Sequence, residues 1–324
     1  MISCPYGFRV LDSKAGKRIL INYGAALAGY AACEEKAEPH REAYLSAFVY
    51  DDDFRWHLQT TGSTRDFKGR CWSQWLWFDL DREGDLQGVL NETRQLAMGL
   101  VERYRLDENN LLLFFSGAKG FHVGLPTGLW APESSTTFHR VARRMAERRA
   151  EETGVIIDAG VYDKVRLFRA PNSRHPKTGL YKRQLSFDEL LNLKIEAIRK
   201  LAEQPEPFEL PASAQRNDLA TTDWLGAMQQ VEQQIQARQQ RQAVNDRPTL
   251  NRLTLEFIQN GAKKGDRHRL LFSAAKNLAE FDCPSVLAHA LLSESALDSG
   301  LSPSDVRRQI DCGLTHQEGG DSHG

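Results

Sequence analysis

From residue 72 the chain alternates short apolar runs with longer segments of helical period. WSQWLWFDLD, NLLLFFSG and FHVGLP have strand length and end at turn residues, while DLQGVLNETRQLAMGLVERYRL repeats its apolar positions every three to four residues. A second helical segment, STTFHRVARRMAERRAEETG, opens on Ser/Thr cap candidates and closes at Gly154. GVIIDAGVY and KVRLFRAPNSRHPKTG return to strand-like runs. Strands interleaved with helices predict an α/β or α+β core. Ahead of it, ISCPYGFRVL reads as a strand, and INYGAALAGYAACEEKAEPHREAYLSAF is compatible with helix over most of its length.

The Pro-bearing EQPEPFELPAS (203–213) marks the edge of this core, which sets a first domain at 1–210. Residues 211–247, with 8 glutamines between Gln229 and Gln242, read as a solvated connecting helix or a disordered linker. Residues 248–316 are helical by pattern. TLNRLTLEFIQN stops at Gly261, DRHRLLFSAAKNLAEF keeps 3.6-residue spacing, and SPSD combines a Ser cap, Pro at the first helical position and an acid three on. A polar tail, 317–324, closes the chain. There is no internal repeat and no G-x-x-x-x-G-K-[ST] loop of a helicase motor.

With 42 Lys+Arg against 43 Asp+Glu, a polyanion must be met by a local basic surface, since the whole molecule has no net field to attract it. The five cysteines are scattered without a CxxC pair, so no structural zinc is expected and reduced thiols in a cytoplasmic protein are. No charged-then-apolar leader opens the sequence, and its apolar runs fall far short of the roughly 20 residues that cross a bilayer. No membrane partner is expected.

Four stretches carry chemistry. In WLWFDLD, side chains two apart share a strand face, so Asp79 and Asp81 project together; paired carboxylates repel unless a cation such as Mg²⁺ or Mn²⁺ lies between them. An isolated D-x-D also fits a strand end running into a solvated acidic loop. VIID offers a third acid, Asp158, with Asp163 a competitor and a turn role the alternative. FFSGAKGFHV sets Ser116, Lys119 and His122 on a Gly-rich hairpin, a cradle for a triphosphate in which hydroxyl and backbone N–H donate, Lys119 neutralises and His122 donates when protonated or orients a phosphate oxygen; an ordinary hairpin with a half-buried His is the alternative. A Ser/His/Asp hydrolase would need a G-x-S-x-G elbow that is missing. Finally, KVRLFRAPNSRHPKTGLYKR holds seven Lys/Arg between Lys164 and Arg183 and no acid, a density suited to polyphosphate or nucleic acid, or to a solvated basic loop.

These stretches, in this order, resemble the archaeo-eukaryotic primase superfamily. That family's motifs are an apolar strand ending D-x-D, matched at Asp79 and Asp81; S-G-x-[KR]-G-x-H, matched by SGAKGFH; an apolar-D, matched at Asp158; and S-x-H-P-K-T-G, matched by SRHPKTG. The match spans residues 72–183, about a third of the chain. A vaguer likeness links GDRHRLLFSAAKNLA to the helical domain that follows the catalytic core in many plasmid and phage primases. The resemblance implies an α+β fold, an RRM-like catalytic sheet with a flanking N-terminal α/β unit, followed by a small all-α domain. It implies a DNA primase-polymerase that joins NTPs or dNTPs on a single-stranded DNA template by two-metal transfer, with Mg²⁺ or Mn²⁺ on Asp79, Asp81 and Asp158. Ser116, Lys119, His122, Arg169 and His175 would grip the nucleotide; Arg166, Arg140, Arg143 and Arg144 are candidates for the template. A separately encoded helicase is an expected partner. An extending or end-filling polymerase and an inert single-strand-binding module are the alternatives. The zinc-binding insertion of many relatives is missing.

Overall fold

The computed structural model describes residues 4–12, 16–212, 214–244 and 250–315; the predicted tail 317–324 lies outside them. In chain order the elements are β1 (Tyr6–Leu11), β2 (Ile19–Asn22), α1 (Tyr23–Ala31), β3 (Ala43–Ser46), α2 (Asp52–Thr61), β4 (Trp75–Asp81) and α3 (Leu86–Tyr104). β5 (Leu112–Phe115), β6 (Gly120–Pro126), α4 (Phe138–Thr153), β7 (Leu167–Arg169), β8 (Arg183–Leu185), α5 (Phe187–Asn192) and α6 (Ile195–Leu201) follow. The remainder is helical: α7 (Asp218–Val244), α8 (Arg252–Asn260), α9 (Arg267–Ala279), α10 (Ser285–Asp298) and α11 (Pro303–Thr315). The chain divides within α7 into two compact units, Met1–Gln234 and Ile235–Gly324.

The first unit is mixed α+β, built on two four-stranded antiparallel sheets of order β2-β1-β3-β7 and β4-β6-β5-β8. The inner strands of the second sheet are buried on both faces, which is why LLFF and GFHVGLP read as unbroken apolar runs. β7 is the link between the sheets. It pairs with β3 in the first sheet, while its Phe168 ring lies 5.2 Å from Trp77 and 4.3 Å from His122 of the second.

Several expectations change. The segment read mostly as helix begins as a strand, because Ile19–Asn22 pairs with β1; Asn22 then caps α1, its side chain accepting the Ala25 N–H at 3.0 Å. GVIIDAGVY forms no strand. Residues 155–158 carry no regular structure, Ile156 is 72 % exposed, and the Asp158 carboxylate takes the Gly160 N–H at 2.8 Å, turning the chain into a 3₁₀ helix at Ala159–Tyr162. The start of α7 is not solvated. Ala220, Trp224, Ala227 and Val231 form a buried stripe at helical spacing, with Trp224 stacked on Trp130 at 5.5 Å; the polar face returns from Glu232.

Among the described residues the second unit is all-α. Asn251 caps α8 through the Thr254 N–H at 2.8 Å, and Ser302 caps α11 through the Asp305 N–H at 3.2 Å, with Pro303 the first helical residue. Phe257, Leu271, Ala275, Leu292 and Ile310 are at the centre of its core. Among the described residues no helix is long and apolar enough to cross a membrane.

Candidate active site

The spacing of two motifs becomes a single antiparallel register. β4 pairs with β6 so that Asp79 faces His122 and Asp81 faces Gly120, with Lys119 one residue further along. His122 Nε2 lies 3.3 Å from Asp79 Oδ1, and Lys119 Nζ lies 2.9 Å from Asp81 Oδ2. Gly120 leaves no room for a side chain, since a Cβ there would stand 2.2 Å from the Leu80 carbonyl oxygen.

Burial governs the inner pair. It pushes the His122 ring down to about 4, with Lys182 adding to the effect and Asp79 opposing it, so the imidazole is neutral near pH 7. The contact to Asp79 places the proton on Nε2 and leaves Nδ1 a buried acceptor without a partner among the described residues. In this arrangement the His122 Nε2–H is directed at the Asp79 carboxylate. Burial also works against the Asp79 carboxylate, but the His122 hydrogen bond and the Lys182 and Arg166 charges hold it below the usual range.

Asp158 meets this strand through its backbone, its N–H donating to the Asp79 carbonyl at 2.8 Å along the free edge of β4. Its carboxylate lies 3.9 Å from the exposed Arg166 guanidinium. Arg169 is held on the first sheet, where Nη2 donates to the Tyr44 hydroxyl at 2.9 Å and the guanidinium lies 4.8 Å from that ring's centre. Ser116 Oγ accepts the Gly120 N–H at 3.2 Å, and His175 Nδ1 accepts from the Lys177 and Thr178 N–H groups at 3.2 and 3.3 Å. The two loops that carry Ser116 and His175 touch, because Thr178 Oγ1 donates to the Gly117 carbonyl at 2.6 Å. The arginines of α4 are placed differently. Arg143 bonds Glu147 at 2.7 Å, Arg144 bonds Gln230 at 2.6 Å, and Arg140 is exposed.

Lys182 had no signal in sequence. It is 1 % exposed, donates to the Arg169 carbonyl at 2.9 Å, and lies 4.3 to 5.4 Å from the ring centres of Phe168, Phe114 and Trp77. Burial, reinforced by Arg169 and opposed by Asp79, pushes it well below the ordinary lysine range.

Asp79, Asp81 and Asp158 offer oxygen donors only, the chemistry of a hard divalent cation. Each is paired with a basic group of the chain itself, His122, Lys119 or Arg166, and among the described residues no three His, Cys, Asp or Glu side chains are gathered as a metal site. The donor type fits Mg²⁺ or Mn²⁺, which would compete with Lys119 for Asp81 and with Arg166 for Asp158.

No protein-family model matches the sequence, and no curated protein does. Among solved structures, a crystal structure of the primase RepB′ is similar over 97 % of this chain and 90 % of that chain, at 13 % identity. The TM-score is 0.35, too low for the likeness to carry an argument.

Proposed function

We propose that the chain is a template-dependent primase-polymerase that makes short primers from NTPs or dNTPs on single-stranded DNA. The observation that carries this reading is the assembly at one end of β4: two carboxylates on one strand face, a third acid bonded to that strand's backbone, and Lys119 and His122 brought onto the acids by β6. Asp79, Asp81 and Asp158 would hold divalent Mg²⁺ or Mn²⁺, whose chemistry is to activate a 3′ hydroxyl and stabilise charge on the phosphates. His122 keeps Asp79 ionised and oriented. Ser116, Lys119, Arg169 and His175 supply hydroxyl, cationic and N–H donors for a triphosphate. Arg166, with the α4 arginines, is the candidate contact for the template strand.

The test is incorporation of labelled ribo- and deoxynucleotides on an unprimed single-stranded circle with each metal. Asp79→Ala with Asp81→Ala should lower incorporation about a thousandfold or more, the scale that several kcal/mol of lost charge stabilisation implies. Activity surviving in that double variant refutes the site. Product only from a preformed primer would identify an extending or end-filling polymerase. The ion pairs already made by all three acids favour one other reading, a single-strand-binding module without turnover. It predicts DNA binding indifferent to metal and no incorporation under any condition.

A further inference from the structure

Thr178 makes hydrogen bonds in two directions. Its Oγ1 donates to the Gly117 carbonyl at 2.6 Å, across 61 residues of sequence, and accepts the Leu180 N–H at 3.3 Å. Its own N–H donates to His175 Nδ1 at 3.3 Å, beside the Lys177 N–H at 3.2 Å. Two N–H donors on Nδ1 leave the proton of a neutral ring on Nε2, so the turn fixes His175 as an Nε2–H donor. The apposed loop is equally constrained. Gly117 has φ +84°, and a Cβ there would stand 3.1 Å from the carbonyl oxygens of Leu180 and Tyr181, so the SGAKG loop lies against the HPKTG turn at backbone contact distance.

We propose that Thr178 is a positioning residue that locks these two loops into one anion seat, holding Ser116 and His175 in fixed register for the phosphates of a nucleoside triphosphate. The inference rests on the proposed function for the identity of the ligand. The geometry assigns the hydroxyl a role that the backbone cannot fill: any residue at 178 supplies the N–H to His175, but only a hydroxyl reaches Gly117. Thr178→Val keeps the β-branched shape and removes that bond, whereas Thr178→Ser keeps the bond and removes a methyl.

Both variants of the full chain are compared by amide hydrogen exchange, by equilibrium binding of ATP and dATP with Mg²⁺ or Mn²⁺, and by steady-state incorporation. In Thr178→Val the amides of residues 117–120 should exchange about fivefold to tenfold faster, and nucleotide Kd and KM should rise by a similar factor, with kcat within about twofold, as loss of one hydrogen bond implies. Thr178→Ser should restore all three. Unchanged exchange in β1 and in α8 to α11 shows that the variants fold. Unaltered exchange at 117–120 in Thr178→Val overturns the coupling, and faster exchange with unaltered nucleotide binding overturns the positioning role. A wild-type chain that binds neither nucleotide overturns the proposed function and the seat with it, even where exchange at 117–120 still responds to Thr178.

Discussion

Asp223→Ala should destabilise the first unit by about 3–5 kcal/mol, the cost of leaving a buried partner charge uncompensated. The Asp223 carboxylate accepts from Arg103 Nε and Nη2 at 2.9 Å each, from the Tyr104 hydroxyl at 2.9 Å and from Arg149 Nη1 at 3.1 Å. Arg103 is partly exposed and can be rehydrated. Arg149 is 1 % exposed, and among the described residues its Nε has no partner and, without Asp223, its one remaining acid is Glu152. Arg149 therefore sets the magnitude. All six tryptophans lie between Trp56 and Trp224, so tryptophan emission during urea unfolding of the full chain reads the first unit alone. A loss of this size lowers the melting point of a unit of this length by about 10 °C. The acid dependence has a definite sign. Burial raises the Asp223 carboxyl, but the Arg103 hydrogen bonds and the neighbouring charges more than offset it, so its pKa is held below the ordinary value. The stabilisation is complete above the unfolded carboxylate pKa and is lost as pH falls through the lower folded one, and the variant should lack that portion of the acid limb. A midpoint shift worth less than about 1 kcal/mol, the range of an exposed pair, would refute the argument.

Two further outcomes follow from local geometry. Gly117→Ala places a Cβ against two carbonyl oxygens at positive φ, and should cost about 1–3 kcal/mol in urea midpoint while loosening the β5–β6 turn in hydrogen exchange. His139 is held down at about 4 by burial, then by Lys164 and Arg140, so its contribution is full above its ordinary value of 6.5 and is lost as pH falls from there towards 4. His139→Gln should flatten that part of the stability profile, and an unchanged slope between pH 6.5 and 4 would contradict the assignment.

The second sheet was largely legible in the sequence because its signals are local. The alternation in WLWFDLD put Asp79 and Asp81 on one face, and the glycines of SGAKG placed a turn where β5 meets β6. Helix ends were legible for the same reason, Gly154 closing α4 at φ +68° and Ser302 opening α11. What escaped depends on distant partners. Lys182, in the stretch LYKRQL, has the composition of a solvated loop, and its burial follows from rings supplied by three different strands. Asp223 is one acid in a polar helix, and its partners Arg103 and Arg149 lie 120 and 74 residues away. VIID has strand composition, yet one backbone bond to Asp79 and one side-chain bond to Gly160 were enough to keep it out of a ladder. In each case contacts to residues distant in sequence overrode local preference.

The three carboxylate pairs are unequal, and the difference gives Lys119 two opposed effects. His122 is buried and Asp79 largely so, whereas the Lys119 side chain is 55 % exposed, so its pair with Asp81 is worth at most about 1 kcal/mol. Under the proposed reading Lys119 competes with a divalent cation for Asp81 and, once displaced, is free to meet a phosphate. Lys119→Ala should therefore tighten Mn²⁺ binding without nucleotide by up to about fivefold, the factor equivalent to 1 kcal/mol, while raising the KM for nucleotide. Loss of a merely structural ion pair would not improve metal binding. A titration followed by Mn²⁺ paramagnetic resonance separates the two, because unchanged or weaker Mn²⁺ affinity in the variant means that Asp81 is not a ligand and that the pair only closes the end of the β4–β6 ladder.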